Sequence, residues 1–536
     1  MTRYLRGLLG TVALVCPAIT TAACTRTASG PSADPKSVPS APTRISVIAT
    51  GSVSGYLEPC GCVKDQLGGL DRFAAAVRQV RQKNPTLLVT TGALFFPRPQ
   101  IEPAEKSEVL LRAETLARVW RSIDGFAWVP NQADLALGAD TTARLIELSG
   151  LRPLPNMERF QSASASRGGD SECTTSNVGP VRVGVCGTVG GAMTPQSLED
   201  NLRAQAAKLS TQNASLKIAL LDTDTGSALR AADRVPDFHL FVVSGGSGGV
   251  IGADSDGAEP VRVQQTLVVH PPNHLRGLIT VEFNIRDSQF VFDDATGVGR
   301  DIERKQVAER IRELSERLSV WKKQNQDPAM IRSRQEDLAR LQLRAADLSR
   351  PLAAPEGSYF TVLTTEIGSG VAGDPSVRRT LDELGRRIND GNRERFAGRK
   401  APEPAAGQAG FVGVGSCETC HEQAAQFWRK TRHASAYQTL VKAEREFTLD
   451  CVGCHVTGYE MPGGSTVTDV AGLKNVQCEN CHGPGSIHAS TRAARDIQRR
   501  PKRELCAQRC HHSPHVAPTW SVNDAWPKIL GPGHGD

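Results

Sequence analysis

The stretch that most constrains this chain is a cluster of cysteine pairs near its C-terminus. Cys417-Glu-Thr-Cys420-His421, Cys451-Val-Gly-Cys454-His455 and Cys478-Glu-Asn-Cys481-His482 repeat one spacing, C-x-x-C-H, within 66 residues. A fourth copy, Cys506-Ala-Gln-Arg-Cys510-His511, carries one extra residue between its cysteines. Two thiols one helical turn apart can each form a thioether with a vinyl group of haem, and the next histidine then falls beneath the iron as an axial ligand. Chance supplies one such motif now and then, but not three in so short a span. The C-terminal region must therefore fold around covalently attached haem. Four haem c groups are expected, three on complete motifs and one on the longer spacing. There Cys506 and Cys510 could instead close a disulfide or bind nothing, but His511 directly follows the second cysteine, which favours haem.

At 536 residues the chain has room for several domains. Its net charge of +6, or +4 once Arg3 and Arg6 are removed with a leader, is no nucleic-acid signal. Aromatic residues make up only 5%, and haem rings would supply the apolar bulk missing at the C-terminal end. Of 14 cysteines, eight belong to the motifs. Haem is attached to exported polypeptides in bacteria, so Cys60, Cys62, Cys173 and Cys186 meet an oxidising compartment and can pair. Sequence does not choose the connectivity, although a direct Cys60–Cys62 bridge strains disulfide geometry most.

Residues 1–23 read as a signal peptide: Arg3 and Arg6, then an apolar run from Leu8 to Ile19, then Ala22-Ala23-Cys24. The run is too short and interrupted for a membrane span. Small residues before a cysteine resemble a bacterial lipoprotein cleavage site, which makes Cys24 the lipidation candidate, with Thr21 where such sites usually carry Leu. Residues 24–43, rich in Ser, Pro and Ala, form a flexible tether. The expected location is the periplasm or a membrane surface of the cell envelope, reached by a lipid anchor.

From Ile45 the texture becomes one of strands alternating with helices. Strands are expected at Ile45–Ala49, Thr86–Thr90, Val181–Val185, Lys217–Leu221, Phe238–Val243 and Leu278–Ile285, with a helix over Leu70–Arg81. This pitch predicts an α/β sandwich over residues 44–295 whose loops after strand ends hold any site. Gly55-Tyr-Leu-Glu-Pro-Cys60-Gly-Cys62 and Leu67-Gly-Gly-Leu-Asp-Arg-Phe resemble the opening of the calcineurin-like metallophosphoesterases, in their periplasmic 5′-nucleotidase branch. That resemblance implies two metals held by an Asp-x-His, a Gly-Asp, an Asn-His and a late Gly-His-x-His. Here Ser52 and Ser54 replace the first pair, Ala93 replaces the second Asp, Gln132 follows Asn131, and Ser244-Gly-Gly-Ser-Gly-Gly249 stands where the late histidines belong. Hydroxyls, methyls and glycine neither hold a dinuclear site nor lower the pKa of an attacking water. Asp222, Asp224, His239, His270 and His274 remain, and are read as solvated or capping residues. The domain is expected to have lost its metals and phosphoesterase activity, and to serve as a scaffold.

Residues 296–394 are read as a helical hairpin and connecting segment. Val307, Ile311, Leu314, Leu318 and Trp321 stripe one arm, and Ile331, Leu338, Leu341, Ala345 and Leu348 the other, a brace or a surface for self-association. A strand at Tyr359–Ile367 and a helix at Ser376–Asn389 follow. The Ala/Pro/Gly-rich residues 395–410 are taken as a linker.

Residues 411–536 form a mainly α/irregular module. Phe411-Val-Gly-Val-Gly-Ser-Cys417, Trp428-Arg-Lys-Thr-Arg-His433, Cys451-Val-Gly-Cys-His-Val-Thr-Gly-Tyr459 and Val476-Gln-Cys-Glu-Asn-Cys-His-Gly-Pro-Gly-Ser-Ile-His488 resemble the tetrahaem cytochrome c-554 family, known as electron carriers. Nine of the chain's 12 histidines fall between His421 and His534. His421, His455, His482 and His511 are the proximal ligands. The resemblance makes His433 and His488 distal ligands, with His515 and His534 further candidates and His512 a weaker one. Which serves which iron is not legible from spacing. Imidazole on both faces leaves no open position, which suits electron transfer to or from a redox partner protein or a quinol-linked donor. Arg429, Lys430, Arg432, Arg492, Arg495, Arg499, Arg500, Lys502 and Arg503 would raise haem potentials or offer a basic face to such a partner. The alternative is a haem oxidoreductase acting on a small nitrogen or sulfur oxyanion, which needs one open iron. Haem that is wholly low-spin and ignores cyanide, carbon monoxide and nitric oxide would exclude it.

Overall fold

The structure is a computed structural model that describes residues 42–59, 66–155, 173–190, 193–245, 257–298, 300–324, 326–352, 355–512, 516 and 520–532. Cys24, Cys60, Cys62, His515, His534, the leader and nearly all of the tether lie outside these residues. Among the described residues no helix is long and apolar enough to cross a membrane.

The chain first lays down β1 (Thr43–Thr50), α1 (Leu70–Arg81), β2 (Thr86–Thr91), α2 (Lys106–Ser122), β3 (Gly125–Val129), α3 (Ala139–Ser149) and β4 (Arg152–Pro153). It continues with β5 (Cys173–Val178), β6 (Val181–Val189), α4 (Pro195–Thr211), β7 (Leu216–Asp222), α5 (Thr225–Arg234), β8 (Leu240–Val243), β9 (Ala258–Val263) and β10 (Thr266–His270). It closes with β11 (Gly277–Ile285), β12 (Asp293–Asp294), α6 (Arg300–Lys323), α7 (Pro328–Leu348), β13 (Tyr359–Glu366) and α8 (Pro375–Arg395). Two mixed sheets result, ordered β12-β13-β11-β1-β2-β3-β4 and β5-β6-β7-β8-β10-β9. The central strands β1, β2, β6, β7 and β8 are buried on both faces because helices cover the outer face of each sheet. In β1, Ile45, Val47 and Ala49 pack with Val183, Ile218 and Val242 between the sheets, while Ile48 faces helices on the outside. Helices α4 and α5 cover the other sheet through Leu202, Leu209 and Ala231. The architecture is an α/β sandwich with helices on both outer faces.

Two expectations about boundaries are corrected. The sandwich does not end at residue 295. Strand β13 pairs with β11 from Gly277↔Glu366 to Asn284↔Tyr359, and Val377, Leu381, Leu384 and Ile388 of α8 lie in the outer core with Phe73 and Trp120. The helical hairpin is therefore an insertion into the sandwich, not the start of a connecting segment. Within it the stripes face each other: Val307, Leu318 and Leu348 are buried, and Ile311, Leu314, Trp321, Ile331, Leu338 and Leu341 half-buried. Nor do residues 395–410 act as a loose linker. Phe396 is buried with Tyr437, Val452 and Val456, Pro402 O accepts from Gly463 N at 2.7 Å, and Arg399 pairs with Glu460 at 2.6 Å. Proline and glycine exclude regular structure, but they do not prevent docking.

Cys173 and Cys186 face each other across β5 and β6 and form a disulfide, with Cα atoms 4.0 Å apart. His239, before β8, is a structural residue. Its Nδ1 accepts from Lys217 N at 2.9 Å, its Nε2 bonds Phe290 O at 3.0 Å, and Phe292 packs edge-on at 5.6 Å. Burial pushes its pKa down to about 4 from 6.5. The unfolded chain protonates this ring first, so its contribution to stability is fully present above pH 6.5 and is lost as pH falls toward 4. By pH 5 the loss is about 2 kcal/mol. Urea unfolding at pH 7 and pH 5 should show the wild type losing about that much more than His239→Gln; equal losses would contradict the assignment.

Candidate functional site

The carboxyl ends of parallel strands β1, β2, β7 and β8 converge where such sheets hold ligands. Ser52 and Ser244 meet across Gly92, where an added Cβ would stand 2.1 Å from Ser52 Oγ and 3.3 Å from Ser244 Cβ. Ser244 Oγ donates to Asp222 Oδ1 at 2.5 Å, and burial raises the Asp222 pKa. Ala93 O accepts from the N–H groups of Val53 and Ser54, and His274 N–H donates to Ser52 O at 2.7 Å. The His274 ring packs on Tyr56 at 4.1 Å. His270 Nδ1 bonds Thr225 Oγ1 at 3.2 Å, and Asp224 caps α5 through Ser227 N. Asn131 Oδ1 caps its own turn through Ala133 N. Asp134, unnoticed in the sequence, accepts from Leu94, Phe95 and Asn131 N–H groups, while burial pushes its carboxyl up to about 7. The structure thus gathers Ser52, Ser54, Ala93, Asp222 and Ser244, and places His239 at the opposite end of the strands. Among the described residues no three His, Cys, Asp or Glu side chains are grouped to hold a metal ion.

The haem-motif residues tell a different story. The thiols of Cys417 and Cys478 meet, as do those of Cys454 and Cys510; here they stand in for thioether sulfurs. Cys506 and Cys510 form no disulfide. His455 Nδ1 lies 2.6 Å from Ala436 O, His482 Nδ1 2.7 Å from Gln498 O, and His488 Nδ1 3.0 Å from Ala493 O. An Nδ1–H spent on a carbonyl leaves the Nε2 lone pair for a metal. Two ring pairs supply the fit test. The centres of His421 and His488 are 6.3 Å apart, and those of His433 and His511 are also 6.3 Å apart. A metal–nitrogen distance of about 2 Å on each side, plus about 1 Å from nitrogen to ring centre, puts trans imidazoles roughly 6 Å apart. Burial lowers the pKa of His433, His455 and His511, which favours the neutral, ligating form. Trp520 stacks on His511 at 4.8 Å.

The His488 ring thus lies beside His421 of the first motif, and the His433 ring beside His511 of the fourth. His512 is exposed.

The intervening residues of the third motif hold the module together. Glu479, buried, accepts from Val412 N at 3.0 Å, Gly413 N at 2.8 Å and Gly485 N at 2.8 Å. Gln477 accepts from Val414 N at 2.6 Å and donates to Gly472 O and Lys474 O. Asn480 accepts from Thr457 Oγ1 at 2.6 Å and donates to Val456 O at 3.0 Å. The short helix Cys478–His482 and its cap Gln477 thereby fix the approach to the first motif and the exit from the second.

Four attachment motifs gathered in one fold, with imidazoles paired across metal-sized gaps, define a multihaem cytochrome c module. Residues 416–483 match the family described as cytochrome c554 and c-prime. Cytochrome c-554 of Nitrosomonas europaea is 41% identical over 96 residues, covering 15% of this chain and 41% of that protein. The family implies covalently bound haem c. The chain spans about two fifths of the length of this curated relative. Among solved structures, a 5′-nucleotidase precursor from Thermus thermophilus is 13% identical with a TM-score of 0.40, covering 67% of this chain and 61% of the other. NAD nucleotidase of Haemophilus influenzae is also 13% identical, with a TM-score of 0.34 and coverage of 46% and 48%.

Proposed function

We propose that this chain is an exported electron-transfer protein of the bacterial cell envelope, anchored by lipid at Cys24, in which a phosphoesterase-like body without hydrolytic activity carries a multihaem cytochrome module. The observation that carries the reading is the pair of imidazole couples at 6.3 Å. Cys417, Cys420, Cys451, Cys454, Cys478, Cys481, Cys506 and Cys510 would form the thioethers. His421, His455, His482 and His511 would supply the proximal nitrogens, with His488 and His433 opposite the first and the fourth. Haem would supply a one-electron couple when bound, and ligation by these imidazoles would let it change oxidation state with little rearrangement. The chain's own contribution is to fix ring orientation through carbonyls, to bury the imidazoles and to hold the motifs side by side.

The exposed cations Arg492, Arg495, Arg499, Lys502 and Arg503 support docking of an acidic redox protein. Serine and alanine in place of metal ligands support the absence of hydrolysis. Intact-mass measurement of the exported protein tests the cofactor assignment, since each haem adds a fixed increment. Four increments are expected; three would remove the Cys506/Cys510 site. Assay with nucleotide and generic phosphate esters plus added manganese should give no turnover, and metal-dependent hydrolysis abolished by Asp222→Ala would overturn the scaffold reading.

A further inference from the structure

The second haem motif is gripped from outside its own module. Glu108 and Arg112 sit one turn apart on α2 of the sandwich, and Glu108 is 3% exposed. Glu108 Oε1 accepts from Arg112 Nη2 at 2.7 Å, and Oε2 accepts from Asn392 Nδ2 at 2.8 Å and Leu449 N at 3.2 Å. Leu449 opens the helix Leu449–His455 that carries the motif, so a sandwich carboxylate satisfies one of its free N-terminal amides. Arg112 Nη1 then reaches Asp450 Oδ2 at 2.8 Å, next to Cys451 in the chain. Asn389 Oδ1 and Asn392 Nδ2 clasp Phe447 N and O, both at 2.9 Å, and Arg445 pairs with Glu58 at 2.5 Å. The approach to the motif is thus held at Arg445, Phe447, Leu449 and Asp450, in each case by a residue of the sandwich.

We propose that Arg112 of the sandwich, paired with Asp450 beside Cys451, sets the reduction potential of the haem held by Cys451, Cys454 and His455. This rests on reading that motif as a haem site. Arg112 is the one cation in a trio whose other members, Glu108 and Asp450, are carboxylates. Its removal leaves two negative charges beside the attachment helix and favours the oxidised, more positive centre. Removal of Asp450 does the opposite. A unit charge about 10 Å away, at an effective dielectric of about 20, shifts such an equilibrium by roughly tenfold. Arg112 is a positioning residue: it acts on the couple through charge and through the seat of the helix.

The test is spectroelectrochemical titration of the full-length, haem-loaded protein. In Arg112→Gln one component should move to lower potential by about tenfold in the equilibrium, or about 59 mV for a one-electron couple. Asp450→Asn should move the same component up by a similar amount. A purely structural role would shift both variants in the same direction, and that result, or no shift in either, overturns the proposal. Arg112→Lys keeps the charge without the forked contact. It should hold the potential near the wild-type value while lowering the thermal midpoint, so loss of fold in the glutamine variant does not decide the matter. Haem is located by mass on proteolytic peptides in every sample: a wild-type Cys451–Cys454 peptide without the haem increment refutes the haem reading of this motif, whereas haem on that peptide with unmoved potentials refutes only the role of Arg112.

Discussion

His488→Ala should convert one haem's share of low-spin signal to high-spin signal, in both the absorption and the electron paramagnetic resonance spectra, without changing the mass. The attachment cysteines are untouched, so the covalent complement stays constant while one sixth ligand is lost. The reason is geometric: His488 is the ring facing His421 at a centre-to-centre distance that suits one iron between them. His433→Ala should do the same to a different haem, the one opposite His511. Because the two rings belong to different pairs, the double variant should show the sum of the single effects. An effect no larger than that of either single variant would mean that both serve one iron. Unchanged spectra in either single variant would remove that ligand assignment. The expected loss is complete for the haem concerned, because a five-coordinate ferric haem lacks the second strong-field nitrogen.

Glu479→Ala should destabilise the cytochrome module by about 3 kcal/mol or more. The buried carboxylate accepts from three backbone N–H groups on two separate segments, Val412–Gly413 and Gly485. Alanine would strand those donors away from water, each at a cost of about 1 kcal/mol or more. Glutamine is close in shape but offers one acceptor oxygen and turns a donor amide toward N–H groups, so Glu479→Gln should recover only part of the loss. Denaturant unfolding followed at the Soret band measures the difference; a change below about 1 kcal/mol would show that the amides find other partners.

The repeated C-x-x-C-H spacing and the alternating apolar strands are local signals, and they announce the haem module and the sandwich. The stripe from Val307 to Trp321 likewise reads directly as a packed helix face. What local signals miss are residues whose role depends on distant backbone. Glu479 and Asn480 look like variable filler between two cysteines, and their hydrogen-bond partners lie up to 67 residues away. Glu108 and Arg112 look like an ordinary surface pair at helical spacing, and only the fold shows that they face Leu449 and Asp450. Asp134 carries no motif at all. The composition of residues 395–410 was legible, but composition reports the lack of repeating hydrogen bonds and not the contacts that Phe396, Arg399 and Pro402 make. Ser52, Ser54 and Ala93 are legible for a different reason: they lie at strand ends, positions that topology fixes, and the structure gathers them there with Asp222 and Ser244.

The bond from Glu108 to Leu449 joins residues 341 apart. Closing a loop ten times longer than a local one costs only about 2 kcal/mol more, but it must wait for everything between to be made. Every element of the sandwich, through α8, precedes the first attachment cysteine in the chain. The surface formed by Glu108, Arg112, Asn389 and Asn392 is thus built wholly from chain that lies ahead of the attachment motifs. In the finished fold the sandwich is the template and the cytochrome segment the piece seated on it: the helix that carries the second motif takes its position from a surface hundreds of residues upstream.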